Sequence, residues 1–372
     1  MKRLVVAAAA LAFAAPVLCA PPRVTGRSYV VENGVTGEVL LARNASARVP
    51  IASITKLMTV LLTLEHTKPN ETVVVSPEAA DVGESSADLR AGDRLTVREL
   101  LEAALIQSAN DAADALAIYV GHGSESRFVA MMNARAKQLG LRDTHFVRPD
   151  GLDAPGHVSS ARDVTLLARV LMHRPLVRQI VRQRGATISG GRNLHTWNDL
   201  LYSYPGIFGV KTGHTSAAGW SQVAAARRRG ITVYATLLGS PGRGARDADL
   251  AELLDWGFSR YRPAAVAVRG HAYARAALGY GGTHLELVAS RSLTPMVRVD
   301  RPLVRRVVAA TAVDLPVRQG QPLGAVLVYQ GGRLIGRVSL VAGRAAGRPG
   351  LAGRVGWYAG RTLHHMAGWF HS

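Results

Sequence analysis

Pro50-Ile51-Ala52-Ser53-Ile54-Thr55-Lys56-Leu57-Met58-Thr59 opens a run that is apolar on nearly every side, continued by Val60, Leu61, Leu62 and Leu64. An apolar stripe on one side would describe a surface helix. Apolar residues all round describe a helix sunk in a core. Two polar residues in it stand out, Ser53 and Lys56. Three residues apart on a helix, they share a face one turn apart. A serine hydroxyl is a weak nucleophile until a base removes its proton. A lysine can be that base only as the free amine. Its ordinary pKa is ~10.4 and a useful base sits near 7–8. The site must therefore disfavour the ammonium by roughly 4 kcal/mol. Burial and a second nearby cation both act in that direction.

Two further short patterns fit the same chemistry. Ser108-Ala109-Asn110 falls inside a region read as one long helix, Thr96 to Tyr119, opened by a Thr96/Glu99 capping box. There the Ser108 hydroxyl can relay a proton. The Asn110 amide can hold a substrate carbonyl through its N–H and the lysine through its oxygen. Lys211-Thr212-Gly213 reads as part of a strand. Its glycine lets backbone and ligand approach closely, and Lys211 and Thr212 offer donors to an anionic substrate end. Lys211 is also the expected second cation beside Lys56. Only five of the 45 basic residues are lysine, which makes the two in these motifs informative. Chance would give all three motifs together about 0.003 times.

With these motifs in view the sequence resembles the serine D-alanyl-D-alanine carboxypeptidases, the low-molecular-mass penicillin-binding proteins, whose Ser-x-x-Lys and Lys-Thr-Gly elements are shared by a wider superfamily. The likeness extends through Gly92-Asp93-Arg94-Leu95-Thr96-Val97, Asp150-Gly151-Leu152-Asp153, Ser160-Ala161-Arg162-Asp163, Gly209-Val210 with His214-Thr215, and Arg246-Asp247 with Leu253-Leu254-Asp255-Trp256-Gly257-Phe258. It implies an α+β fold: a serine β-lactamase/DD-peptidase-like catalytic domain, a second, small all-β domain and a C-terminal amphipathic helix. It implies that Ser53 attacks the carbonyl between two terminal D-alanines of a peptidoglycan stem peptide, with Lys56 as base and Ser108 passing the proton to the leaving group. The backbone N–H groups of Ser53 and His214 would form the oxyanion hole, and Lys211, Thr212 and Arg246 would bind the terminal carboxylate. β-Lactams would acylate the same serine. No cofactor and no metal is implied. Trp220 and Trp197 stand where a smaller or basic residue is expected in some members, and His157 lies in a middle loop near the site.

The surrounding chain gives the domain expectations. Residues 27–258 mix helices and strands: a hairpin turning near Asn33-Gly34, helices over Ala161–Leu171 and Leu176–Arg184, strands at Val210–Gly213 and Gly230–Leu238 read as neighbours, and a closing helix from Asp247 to Phe258. Residues 263–343 read as a small β domain, with a hairpin around Gly331-Gly332. Ala345 to Pro349 reads as a link.

The two ends give an expected address. Met1-Lys2-Arg3, the apolar Leu4 to Leu18 and a cut after Ala20 make residues 1–20 a signal peptide. Removing it removes Cys19, the only cysteine, which excludes a disulfide framework and a cysteine-built zinc site. From Ser259 onward sixteen arginines meet three acidic residues, Glu286, Asp300 and Asp314, so most of the formal charge of +19 lies there. Residues 349–372 place Leu351, Val355, Tyr358, Leu363, Met366, Trp369 and Phe370 within an arc of about 140°, with Arg354, Arg361 and His364 opposite. That is the pattern of an interfacial anchor on an anionic membrane surface. The expected location is the periplasm or the outer face of the cytoplasmic membrane. An exported chain without a nucleic-acid module does not meet nucleic acid.

The motifs are shared with three rival functions. A class A β-lactamase needs a glutamate for its deacylating water, and Glu125 is the only glutamate between Asn110 and Lys211. A DD-endopeptidase of the same fold would cut crosslinks. A silent wall-binding protein would not need all three motifs.

Overall fold

The computed structural model describes residues 4–11, 20–279, 283–348 and 350. The chain divides into two compact units, Cys19–Ser259 and a second that runs from Arg260 and includes the strand Leu4–Leu11.

The first unit is built on a five-stranded antiparallel sheet. Its strands are β1 (Ser28–Asn33), β2 (Val39–Arg43), β3 (Ile207–Thr215), β4 (Gly219–Arg228) and β5 (Ile231–Ser240), in the order β2-β1-β5-β4-β3. The strand carrying Lys211-Thr212-Gly213 therefore does not lie beside Ile231–Ser240, as the sequence reading had it. β4 pairs with both and is the middle strand of this meander. The period of two sends alternate residues to two separate cores. Val30, Val223, Ala225 and Tyr234 join one cluster; Val31, Ala224, Val233 and Ala235 join the other. The second cluster is closed by the helix Arg243–Ser259 through Leu250, Leu253 and Leu254.

The first cluster holds the helical side. Ala52–Thr55 forms a 3₁₀ turn that runs into α1 (Lys56–His66), packed among α3 (Asn110–Val120), α4 (Glu125–Leu139) and α5 (Ala161–Leu171). Leu57, Met58, Val60 and Leu61 are fully buried, the reason α1 carries apolar residues all round.

The long helix expected over Thr96–Tyr119 is interrupted. Thr96 and Glu99 do form the capping box of α2 (Val97–Glu102). The chain then widens into a π turn, Ala103–Gln107, and breaks at Ser108, whose φ of 69° is left-handed, before α3 begins at Asn110. π turns of this kind gather at functional sites. Ser108-Ala109-Asn110 is thus a kink between helices. The expected helix over Leu176–Arg184 is the shorter Pro175–Ile180.

The second unit is a sheet with β6 (Ala272–Leu278), β7 (His284–Ala289), β8 (Leu303–Ala310), β9 (Pro322–Gln330) and β10 (Arg333–Ala342). Its order is Leu4–Leu11, β8, β9, β10, β7, β6 and Ala312–Val313. β9 and β10 form the hairpin turning at Gly331-Gly332. The core is small and aliphatic, with Val326, Val328, Leu285, Leu287 and Leu340. The backbone of Leu4–Leu11 runs antiparallel along β8, from Leu4 opposite Ala310 to Leu11 opposite Leu303. Ala346, expected in a link, is bridged to Val317. The amphipathic helix expected over 349–372 lies outside the described residues, apart from Gly350.

Candidate active site

Three chain segments converge on Lys56. Its Nζ lies 2.9 Å from Ser53 Oγ, 2.6 Å from Asn110 Oδ1 and 2.7 Å from the carbonyl oxygen of Asp150. The side chain is wholly buried, and burial pushes its pKa down to about 8, against the pull of Asp150, Asp114, Asp111 and Glu84 toward the charged form.

The expected help from Lys211 is not what lowers Lys56. Lys211 is itself buried, and burial, with the charges of Lys56 and Arg246, pushes its own pKa well down. Lys211 is not among the charges that act on Lys56. Its Nζ lies 2.8 Å from Ser108 Oγ and 2.9 Å from the carbonyl of Thr212.

Two glycines let the segments meet. A methyl group on Gly213 would stand 2.8 Å from the Ile51 carbonyl oxygen and 3.2 Å from both Ala52 Cβ and Ile54 Cγ1. β3 therefore lies directly against the turn that carries Ser53, and His214 and Ser53 line the same cleft. Gly151 has φ +87°, and a methyl there would stand 2.1 Å from the Ala52 carbonyl oxygen. That close approach is what delivers the Asp150 carbonyl to Lys56.

The same loop is pinned by His157. Val147 N–H donates to its Nδ1 at 3.0 Å, so Nε2 carries the proton and donates to Thr55 Oγ1 at 2.8 Å. The ring is buried and burial pushes its pKa down to about 4. His157 is a structural fastening between the loop and the turn that carries Ser53.

The cleft, about 220 Å³, is lined by Ser53, Ser108, Thr212, Gly213, His214 and Arg246, with Glu84, Ser85, Trp197 and Trp220 at its walls. Trp220 stacks on the His214 ring, centroids 4.0 Å apart. Trp197 is half exposed, its Nε1 donating to the Gln107 carbonyl at 2.9 Å. Arg246 is buried. Its Nε donates to Asp247 at 2.9 Å, while its Nη2, 2.7 Å from the same carboxylate oxygen, has no well-formed hydrogen bond. The Asn110 amide nitrogen donates to the Gly83 carbonyl at 3.1 Å. One of its two protons is thus committed, a partner the sequence did not reveal. Glu125 opens α4 and does not line the cleft.

Asp150, Gly151 and Glu84 were not legible as site residues. A backbone carbonyl leaves no residue type behind, and the contact between Gly151 and Ala52 spans a distance no local pattern reports. Among the described residues no cluster of metal ligands is assembled.

Residues 16–242 match the family model described as D-alanyl-D-alanine carboxypeptidase. The chain belongs to this family. It is a serine-type D-Ala-D-Ala carboxypeptidase of the penicillin-binding-protein class. The D-alanyl-D-alanine carboxypeptidase DacF of Bacillus subtilis is 30% identical over 85% of this chain and 84% of its own length. The D-alanyl-D-alanine carboxypeptidase of Streptomyces sp. K15 is 35% identical, over 62% of this chain and 86% of its own. Among solved structures, penicillin binding protein 5 from Haemophilus influenzae superposes with a TM-score of 0.64, at 26% identity over 89% of this chain and all of that one. The fold is that of the DD-peptidases.

Proposed function

We propose that Ser53 is the nucleophile and Lys56 its base. The observation that carries the assignment is the surroundings of the Lys56 nitrogen. As a neutral amine it has two protons and one lone pair. Asn110 Oδ1 and the Asp150 carbonyl accept only, so they take the two protons. The lone pair is left toward Ser53 Oγ, the one neighbour with a proton to give.

Acylation then runs as follows. Ser53 Oγ bonds to the carbonyl carbon of the penultimate D-alanine as its proton passes to Lys56. The Ser53 and His214 backbone N–H groups hold the oxyanion. The C–N bond breaks as the leaving amine takes a proton from Ser108, which the proton gathered by Lys56 replaces, so Lys56 is a free amine again; Lys211 holds the Ser108 hydroxyl in place. The terminal carboxylate meets Lys211, Thr212 and the ill-satisfied Nη2 of Arg246. An incoming carboxylate favours the ammonium form of Lys211. Gly213 keeps the strand close and Asn110 orients the substrate. Water, activated by Lys56, releases the acyl group. The substrate is a peptidoglycan stem pentapeptide, and a β-lactam acylates the same oxygen.

The chain is exported. Residues 1–20 are removed, and with them the strand Leu4–Leu11 at the end of the sheet order, leaving a 27–258 catalytic domain, a 263–343 β domain and a 349–372 helix that lies on the anionic face of the membrane. No described helix is long and apolar enough to cross one. Pure protein is incubated with a stem pentapeptide and with a crosslinked dimer. Free D-alanine from the pentapeptide, absent with Ser53→Ala, is the expected result. Cleavage of the dimer alone makes it an endopeptidase, and undiminished release by Ser53→Ala rules out the nucleophile.

A further inference from the structure

Behind Lys56 lies a group of buried charges that the proposed mechanism does not use. Asp114 sits one helical turn after Asn110 on α3, on the face that carries the lysine's partner. It is 3% exposed, and its Oδ1 is buried without a hydrogen-bond partner. The charges that act on it come from three other segments: Asp150 and Arg148 on the loop, Glu125 at the start of α4, and Lys56 on α1. Lys56 in turn feels Asp150, Asp114, Asp111 and Glu84.

The neighbouring carboxylates are provided for and Asp114 is not. Asp150 accepts from Arg148 Nε at 3.1 Å, Arg148 Nη2 at 2.8 Å and Leu152 N–H at 3.0 Å. Asp111 accepts from Ser86 Oγ at 2.6 Å and from the backbone N–H groups of Ala87 and Leu89 at 3.0 Å. Against the pull of burial, the hydrogen bonds to Asp150 help hold its carboxyl below the ordinary range. A buried oxygen with no donor holds the acid instead. Burial, followed by the charges of Asp150 and Glu125, raises the pKa of Asp114 to about 8. Glu125, half-buried, is also raised by burial.

We propose that Asp114 is a positioning residue that shares one proton with Lys56, so that the pair, and not the lysine alone, sets the pH at which Ser53 is activated. With one proton between them the pair exists as Asp114 acid with Lys56 amine, or as Asp114 carboxylate with Lys56 ammonium. Only the first form attacks. Two sites coupled in this way titrate in macroscopic steps that belong to both. Removing the Asp114 charge removes a reason for Lys56 to stay protonated, so the lysine becomes a base at lower pH.

The inference rests on the assignment of Ser53 and Lys56. Its test is the second-order acylation rate of the full chain by a fluorescent penicillin, from pH 5 to 10, for wild type and Asp114→Asn. Mass spectrometry locates the label. The expected result is a single-step acid limb in the variant, displaced to lower pH by roughly one unit, with the plateau at high pH within about threefold of wild type. An unmoved limb in a folded variant overturns the role of Asp114. A label elsewhere than Ser53 in wild type overturns the nucleophile instead. Should Asp114→Asn not fold, carbon-13 titration of the aspartate carboxyls in wild type decides. A resonance titrating within about one unit of the acylation limb supports the shared proton. Aspartates that all titrate in the ordinary range near 3.9 overturn it.

Discussion

Lys211 Nζ lies 2.8 Å from Ser108 Oγ, two motifs 103 residues apart in the chain. The contact exists because Ser108 adopts left-handed backbone at the break after the π turn. A residue with a Cβ sits there at a cost of roughly 1–2 kcal/mol. Ser108→Gly and Ser108→Ala both lose the hydroxyl, so both are expected to slow D-alanine release by about 10²–10⁴-fold. Ser108→Gly is expected to be the more stable of the two by about 1 kcal/mol in urea unfolding. Equal activity of Ser108→Ala and wild type removes the proton relay.

Lys56→Arg keeps a positive charge and hydrogen-bond donors but cannot give up its proton. Penicillin acylation is expected to fall by at least about 10²–10⁴-fold in this variant. Residual acylation within tenfold of wild type means that the base is another group.

His157 is neutral in the folded protein down to pH of about 4 and titrates near 6.5 when unfolded. Between these values the unfolded chain binds the extra proton. Stability is therefore present above about pH 6.5 and is lost as the pH falls toward 4, by up to roughly 3 kcal/mol. Urea unfolding at pH 7 and pH 4.5 measures it. His157→Gln is expected to be less stable at pH 7 and to show a smaller difference between the two pH values. An unchanged difference excludes His157 as its source.

Gly213→Ala places a methyl against the Ile51 carbonyl and Ala52 Cβ. It is expected to push β3 off the nucleophile turn and misplace the His214 N–H. Loss of an oxyanion donor is worth about 10²–10³-fold in rate. Acylation of a folded Gly213→Ala protein by penicillin should show a loss of that order, and a wild-type rate would mean that the strand is free to shift.

Arg246→Ala is expected to lower kcat/KM for a pentapeptide with a free C-terminal carboxylate by about tenfold or more, as loss of a charge-assisted hydrogen bond does. The same peptide amidated at its C-terminus should be affected far less. Equal losses for both assign Arg246 to packing over Trp220, whose ring it faces at 5.8 Å.

The site was legible in the sequence where chemistry demands a side chain. Ser53, Lys56, Ser108, Asn110 and Lys211 are read from residue type and spacing, and the structure joins them by hydrogen bonds in two sets, Ser53–Lys56–Asn110 and Ser108–Lys211, whose serines line one cleft. The all-round apolar character of Leu57 to Leu64 likewise told that α1 is enclosed. What escaped was carried by backbone or by long-range packing: the Asp150 carbonyl, the Gly151 and Gly213 contacts with the nucleophile turn, the fastening by His157 and the middle strand β4. Its run Val223-Ala224-Ala225-Ala226 feeds both cores, so it lacks the one-sided alternation that marks a half-exposed strand.

By itself the sequence determined which groups the reaction has at its disposal and that α1 would be buried, since residue type and periodicity are local properties of the chain. The tertiary structure alone decided which of those groups titrate where. Burial strips water from Lys56 and Lys211 together, and only the folded arrangement shows which buried charges receive hydrogen bonds and which, like Asp114, do not.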